Sequence, residues 1–532
     1  MELISQHAKK IMEECKSRAR DAGLSFDDES LEYIVTNQDM LELSPKVMIP
    51  TLYDFWVHDL ELIKGKKEYE LYPHNPYETV INSRPAISFY NDNNPDWLNV
   101  MIFYHVLGHI DFFQNNSYFE HTWDDDFVGV ALSDKRLLSQ LKTEHGRWVD
   151  YVIEFSRSLD NLVGYFSELS NLHLKKDKKS KFDYYFDLFL QHEKKVETPE
   201  YLKDLEEYNQ CLLNPERNAK KIFLQHVKLK FPEFEAAYKK YKETESKPKK
   251  DLLTYIHDHS PILAQEKNSW MKSVIQIIRN TALYFAPQMR TKVMNEGWAS
   301  YWHQELFLKD SRIEGYEANF AKINAYVTSI PKVGFNPYAI GLRLFEHIEK
   351  EANQGKLDLE FEHVLDREDR KHYNKKTGKG RAFMFSLREK FTDFTFLNTY
   401  ITQDFVDAHK LSVIGERFNP SKMVREYYIK SKQAVDYKNM LLDRLVHPPS
   451  IEVEINKTSE DRLYLKHIFE GKPLVEEYIQ NVMIGLEFLW GNPVTLETIR
   501  SVKGKPISYL YTIQNKELVK NEFHQKNESV SQ

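Results

Sequence analysis

The chain has 532 residues and a formal net charge of −7 at pH 7, with 41% hydrophobic and 29% charged residues. That length supports more than one domain, and the mild acidity gives no reason to expect nucleic acid or an anionic membrane as partner. Two cysteines, Cys15 and Cys211, exclude a disulfide framework and a cysteine-based zinc site.

Only 18 glycines and 13% aromatic residues, together with long windows of apolar residues at helical spacing, predict a mainly α protein. No run of about 18 apolar residues occurs to span a bilayer. The start, "MELISQHAKKIMEECKSRAR", is amphipathic and charged without a signal-type apolar core. The expectation is therefore a soluble, cytoplasmic protein.

Residues 1–95 read as short helices and loops. "NNPDW", Asn93 to Trp97, supplies a polar, proline-containing start for the helix that carries "YHVLGHIDFFQNN". There His105 and His109 are four apart, on one helical face, so both imidazoles can reach one point in space. Gly108 thins the surface beside them, either for a substrate or for close helix packing. Helix continues to about residue 170. The segment 171–250 is a lysine-rich insertion, with "HLKKDKKSK" and "KETESKPKK" bracketing amphipathic stretches, and reads as a solvated surface or hinge.

Helices resume from 251 to about 435. "MNEGWASYWHQEL" places Glu296, Ser300 and His303 on one face, so that a carboxylate supplies a third ligand and an imidazole either a fourth ligand or a proton-transfer group. The competing reading is an ordinary polar stripe with Glu296 linked to His303. In "FNPYAIGLRLFEHIEK", Asn336 suits a cap and Pro337 the first helical turn. "REDRKHYNKKTGKGR" lacks the order of a phosphate-cradling loop and reads as an exposed loop. After about 440 the period changes: "IEVEI", "RLYLKHIFEG", "VTLETI" and "ISYLYTI" read as strands and "LVEEYIQNVMIGLEFLW" as a helix. Leu474, Tyr478, Val482 and Leu486 are the expected sheet-covering face, widened by Val475, Ile479 and Met483. The organisation expected is 1–95 helical and looped, 96–435 a helical core, 436–520 a small α+β domain and 521–532 a frayed tail.

"HVLGHIDFFQNN", "ALYFAPQMRTKVMNEGWASYWH", "FNPYAIGLRLFEHIE", "YITQDFVDAHKL" and "LYLKHIFEGKPL" with "LWGNPVTLET" follow the order and spacing of the stage V sporulation protein R (SpoVR) family. The resemblance runs from about Tyr77 to Thr498. It implies a setting in sporulation, the spore cortex or stress-phase physiology, and a PrkA-type serine kinase and a von Willebrand A-like protein as partners. The chain also resembles, more distantly, gluzincin metallopeptidases, which take two zinc ligands and a base from HExxH and a glutamate from a later helix. His105, His109 and Glu296 match the three ligand positions, implying zincin-like metal-site helices. Val106 stands where the glutamate base belongs, and a valine accepts no proton.

Three functions follow. The first is a metal-dependent hydrolase in which His303, or else Asp111 or Glu305, replaces the missing base, acting on amide bonds of cell-wall or peptide-like substrates. The second is a non-haem Fe(II) enzyme, since two histidines and one carboxylate also form that facial triad. The third is a non-catalytic scaffold whose closed metal site, or unmetallated polar cluster, holds two helices together for a regulatory partner such as the PrkA-type kinase. The expected cofactor is a divalent metal, zinc first and iron as the alternative.

Overall fold

The computed structural model describes residues 2–36, 78–122, 127–162, 181–194, 196, 198–213, 219–245, 251–331, 333–420, 423–445, 448–502 and 505–523. Two compact units divide the chain, one of residues 1–162 with 256–532 and one of 163–255.

The first unit begins with a mixed sheet that the reading of 1–95 as helices and loops did not foresee. Strands β1 (Glu2–Leu3), β2 (Ser30–Val35), β3 (Glu78–Ile81) and β4 (Ala86–Asn91) lie in the order β1-β2-β4-β3. β2 and β4 run parallel from Ser30↔Ala86 to Val35↔Asn91, and β3 pairs antiparallel with β4. Each strand is short, and the parallel pairing joins residues far apart in sequence, so no local window carries the signal. Helix α1 (Gln6–Asp21) links β1 to β2 and is capped by the Ser5 side chain.

Helix α2 (Asp96–Asn115) starts after Pro95, as expected. It is apolar around most of its girth, with fifteen buried residues, which places it at the centre of the body. Helix α3 (Lys292–Phe307) carries "NEGWASYWH", and α4 (Glu317–Val327) follows it. Helix α5 (Pro337–Gln354) has the anticipated cap, Asn336 accepting from the Ala339 amide, with Pro337 at its first turn. The helices α6 (Gly380–Lys390) and α7 (Asp393–Tyr400) complete the surroundings of the site.

Missing side chains let α3 lie against both α2 and α5. A Cβ on Gly108 would stand 2.8 Å from the Ala299 Cα, and one on Gly341 would stand 2.2 Å from the Val293 carbonyl oxygen and 2.7 Å from the Gly297 Cα. Gly108 therefore serves close helix packing. Polar clamps hold the same helices. The Asp393 carboxylate accepts from the Val293 and Met294 amides at 2.8 and 2.9 Å, at the positive end of α3. Asp111 on α2 accepts from the Trp298 indole at 2.8 Å and the Ser25 amide at 2.7 Å, and pairs with Arg388 on α6 at 3.3 Å.

A hairpin of β5 (Val413–Asn419) and β6 (Val424–Ser431) interrupts the region read as helical to 435. β7 (Ser450–Val453), β8 (Leu463–Ile468), β9 (Val494–Val502), β10 (Lys505–Gln514) and β11 (Glu517–Phe523) form a sheet in the order β11-β10-β9-β8-β7, parallel only between β8 and β9. Its helix α8 (Glu476–Trp490) lies where expected, but the buried face is Ile479, Met483, Leu486 and Trp490. Tyr478 of the expected face and Val475 of its margin are exposed, so the face is rotated towards Ile479 and Met483. β11 extends into the residues expected to fray from 521, and residues 524–532 lie outside those described.

In the second unit, helices Thr198–Leu213, Ala219–Lys230 and Phe234–Glu245 and a π-helical stretch, Tyr184–Glu193, pack around Tyr184, Tyr185, Phe189 and Phe234. This unit contains the insertion at 171–250. Residues 173–180 of its first lysine-rich run and 246–250 of its second lie outside those described. The chain is mainly helical with a small C-terminal sheet region, and no helix among the described residues is long and apolar enough to cross a membrane.

Candidate metal centre

Close packing of α2 against α3 brings the expected residues together. The donor atoms of His105, His109 and Glu296 lie within 4.8 Å of one another. Glu296 Oε2 is 3.5 Å from His109 Nε2 and 4.0 Å from His105 Nε2, and the two imidazole Nε2 atoms are 3.1 Å apart. His105 is buried and the other two are partly buried.

Both imidazoles are held from behind. His109 Nδ1 meets Asn295 Oδ1 at 2.9 Å, and His105 Nδ1 meets His303 Nδ1 at 2.9 Å. His303 Nε2 in turn meets Asn324 Oδ1 at 3.0 Å. Tyr338 on α5 stacks on His105, with ring centres 6.2 Å apart and planes 15° from parallel. With the Nδ1 atoms engaged outward, the Nε2 atoms converge with Glu296 Oε2, which is buried and has no hydrogen-bond partner. Buried acceptors without partners are costly. A divalent cation fits this donor set, because it satisfies two imidazoles and a carboxylate at once.

The electrostatics keep the His105 imidazole available. Burial, followed by the neighbouring His109 and His303, holds His105 well below the usual histidine range. Burial likewise lowers His303 to about 4, outweighing its Asn324 hydrogen bond. Neutral imidazole is the form that ligates. Burial of Tyr338, with Glu296 and Glu78 nearby, pushes its phenol upward.

Sequence reasoning missed a second carboxylate. Glu78, at the head of β3, has Oε1 3.9 Å from His105 Nε2. Burial and then the charge of Glu296 raise it to about 7. A lone glutamate in "YETVIN" has no spacing to mark it, and only the sheet brings it to the helices. Asn295 and Tyr338 did lie inside quoted motifs. Their roles depend on which way α3 and α5 face each other.

The remaining candidates stand elsewhere. His303 is behind His105 with both ring nitrogens engaged. Asp111 is committed to Trp298, Ser25 and Arg388, and Glu305 pairs with Lys309 and Arg381. Ser300 Oγ is buried without a partner. His467, in the C-terminal sheet, hydrogen-bonds Thr498 at 2.8 Å and is not among the clustered donors.

A family model described as SpoVR like protein matches residues 3–446 of the chain. The match begins well before Tyr77, and "LYLKHIFEGKPL" and "LWGNPVTLET" lie beyond its end. The uncharacterized protein YcgB of Escherichia coli (strain K12) is 27% identical over 340 residues, 60% of this chain and 58% of YcgB. The chain thus spans a little over half the length of that relative. No solved structure matches.

Proposed function

The chain belongs to the SpoVR-like family, and on that premise we propose that it is a metal-dependent enzyme of hydrolase type whose divalent cation is held by His105, His109 and Glu296. The observation that carries this reading is the orphaned, buried Glu296 Oε2 facing two imidazole nitrogens whose rings are anchored outward. Such a cation, when bound, supplies Lewis-acid polarisation of a carbonyl oxygen.

The chain's own residues supply the rest. Val106 is fully buried and apolar, so the proton acceptor must come from outside the HxxxH turn. Glu78 is in position for it: its Oε1 faces the His105 Nε2 from β3, on the side opposite His303. His303 is better suited to orienting His105. A closed structural site needs four protein donors; His105, His109 and Glu296 cluster among the described residues, and this reading keeps the neighbouring Glu78 for proton transfer and not for ligation. The same donor set suits a non-haem iron enzyme, so zinc is the first choice and iron the second.

The setting in sporulation, spore cortex or stress phase, the amide substrates, and the partnership with a PrkA-type kinase and a von Willebrand A-like protein rest on the family resemblance. The test is elemental analysis of protein purified without added metal, then assay of peptide and peptidoglycan amides with and without chelator. One equivalent of divalent metal and chelator-sensitive cleavage are expected. Glu78→Gln should keep the metal and lower cleavage by about 10²- to 10⁴-fold. Wild-type protein that binds no divalent metal sinks the reading.

A further inference from the structure

We infer that Glu346, Gln304, Asn324 and His303 form a directional hydrogen-bond chain that sets the tautomer of His105, so that the His105 Nε2 presents a lone pair to the centre. Its purpose rests on the metal reading above; its geometry does not.

The direction follows link by link. A carboxylate accepts and does not donate, so Glu346 Oε1 on α5 takes its hydrogen from Gln304 Nε2 on α3 at 3.0 Å. That turns the Gln304 carbonyl oxygen to Asn324 Nδ2 on α4, again at 3.0 Å. The Asn324 Oδ1 is then the atom left for His303 Nε2, at 3.0 Å, and the proton of His303 sits on Nε2. In a neutral imidazole one nitrogen donates and the other accepts. His303 Nδ1 therefore accepts, and the His105 Nδ1, 2.9 Å away, donates to it. The proton of His105 is thereby fixed on Nδ1, and Nε2 carries the lone pair that faces His109 Nε2 and Glu296 Oε2.

The chain crosses four helices and is anchored at its far end by Glu346, which in its ionised form can only accept. Both amides are oriented by their neighbours, so reversing one link would oppose two donors or two acceptors at the next. His303, Asn324, Gln304 and Glu346 are positioning residues: they act through His105, as outer hydrogen-bond partners of a ligating histidine do. This gives His303 a place in the centre that proton transfer to a substrate would not require.

The test uses the full-length apoprotein labelled with ¹⁵N-histidine and read by solid-state ¹⁵N spectra, with His105→Gln identifying the His105 resonances. Wild-type protein should show His105 protonated on Nδ1. Asn324→Leu removes the acceptor and should move His105 towards the Nε2-protonated form that free imidazole favours, while Asn324→Asp, which keeps an acceptor, should restore the wild-type pattern. Gln304→Met, one link further out, provides a second break if Asn324→Leu fails to fold. Zinc titration of the same proteins should show the dissociation constant rising about 10- to 100-fold in the two broken chains and recovering in Asn324→Asp. An Nε2-protonated His105 in the wild type, or a tautomer unchanged in both broken variants, overturns the inference. If the tautomers behave as described but zinc does not bind the wild type, the chain stands and the metal reading falls.

Discussion

The centre between α2 and α3 and the C-terminal sheet both bury histidine and glutamate, and they treat them in opposite ways. In the sheet, His467 Nδ1 meets Thr498 Oγ1 at 2.8 Å, and Glu497 Oε2 accepts from the Tyr464 hydroxyl at 2.8 Å with Lys457 Nζ 3.4 Å away. These groups close on their neighbours. Between the helices, Glu296 Oε2 has no hydrogen-bond partner and two imidazole nitrogens confront each other at 3.1 Å. Burial of polar groups that are mutually satisfied specifies a fold. A carboxylate oxygen buried without a partner is what a bound cation would satisfy.

The sharpest way to break that comparison is to part the helices. Gly341→Ala puts a Cβ 2.2 Å from a backbone carbonyl, which neither helix can yield to locally, and should cost about 3 kcal/mol or more and abolish metal binding. Gly485→Ala, in α8, meets instead the Phe155 ring at 2.9 Å, a side chain able to turn, and should cost about 1 kcal/mol. Calorimetry and metal titration of both variants decide the matter; equal losses would mean that backbone contact at Gly341 has no special weight.

Next in size is the exchange of one histidine in each region. His105→Ala and Glu296→Gln should weaken divalent-metal binding by more than about 100-fold, beyond the range of outer-partner losses. His467→Ala should leave binding unchanged while lowering stability by about 1–3 kcal/mol, because Thr498 loses its buried partner. Metal loss in His467→Ala would show that the sheet takes part in the centre after all.

The smallest effect concerns acid. Asp310 is pushed up by burial, but hydrogen bonds from Arg312 and Tyr104 outweigh this and hold it at about 2. Its folded value is thus below the ordinary 3.8, so the stability it contributes is fully present above about pH 4 and is lost as the pH falls towards 2. That contribution is about 2 kcal/mol. Urea unfolding at pH 5, 3 and 2 should show this loss in the wild type and a smaller one in Asp310→Asn; parallel curves would remove Asp310 from the account.

Legibility differed with the range of the interaction. The HxxxH spacing on an apolar helix, and Glu296 within a family-specific block, were readable because helical periodicity and motif are local. So were Asn336 and Pro337 at a helix start, and the strand, helix and strand order after residue 440. The N-terminal sheet was not, because Ser30–Val35 finds its parallel partner at Ala86–Asn91. The β5–β6 hairpin was passed over because its strands adjoin helical stretches without a glycine turn to mark them.

The sequence by itself determined which side chains could ligate, since residue type and a period of 3.6 decide what one helical face presents, and it determined that Val106 accepts no proton. Only the tertiary structure decided what those side chains meet. Glu78 reaches His105 from a strand edge, and His303 turns its two nitrogens to His105 and Asn324. Contacts of this kind depend on the angle and separation at which helices and strands pack, and here both are set by backbone-to-backbone approach at Gly108, Gly297 and Gly341. A glycine in a sequence records permission for such an approach, and the neighbour that uses it is named only when the chain has folded.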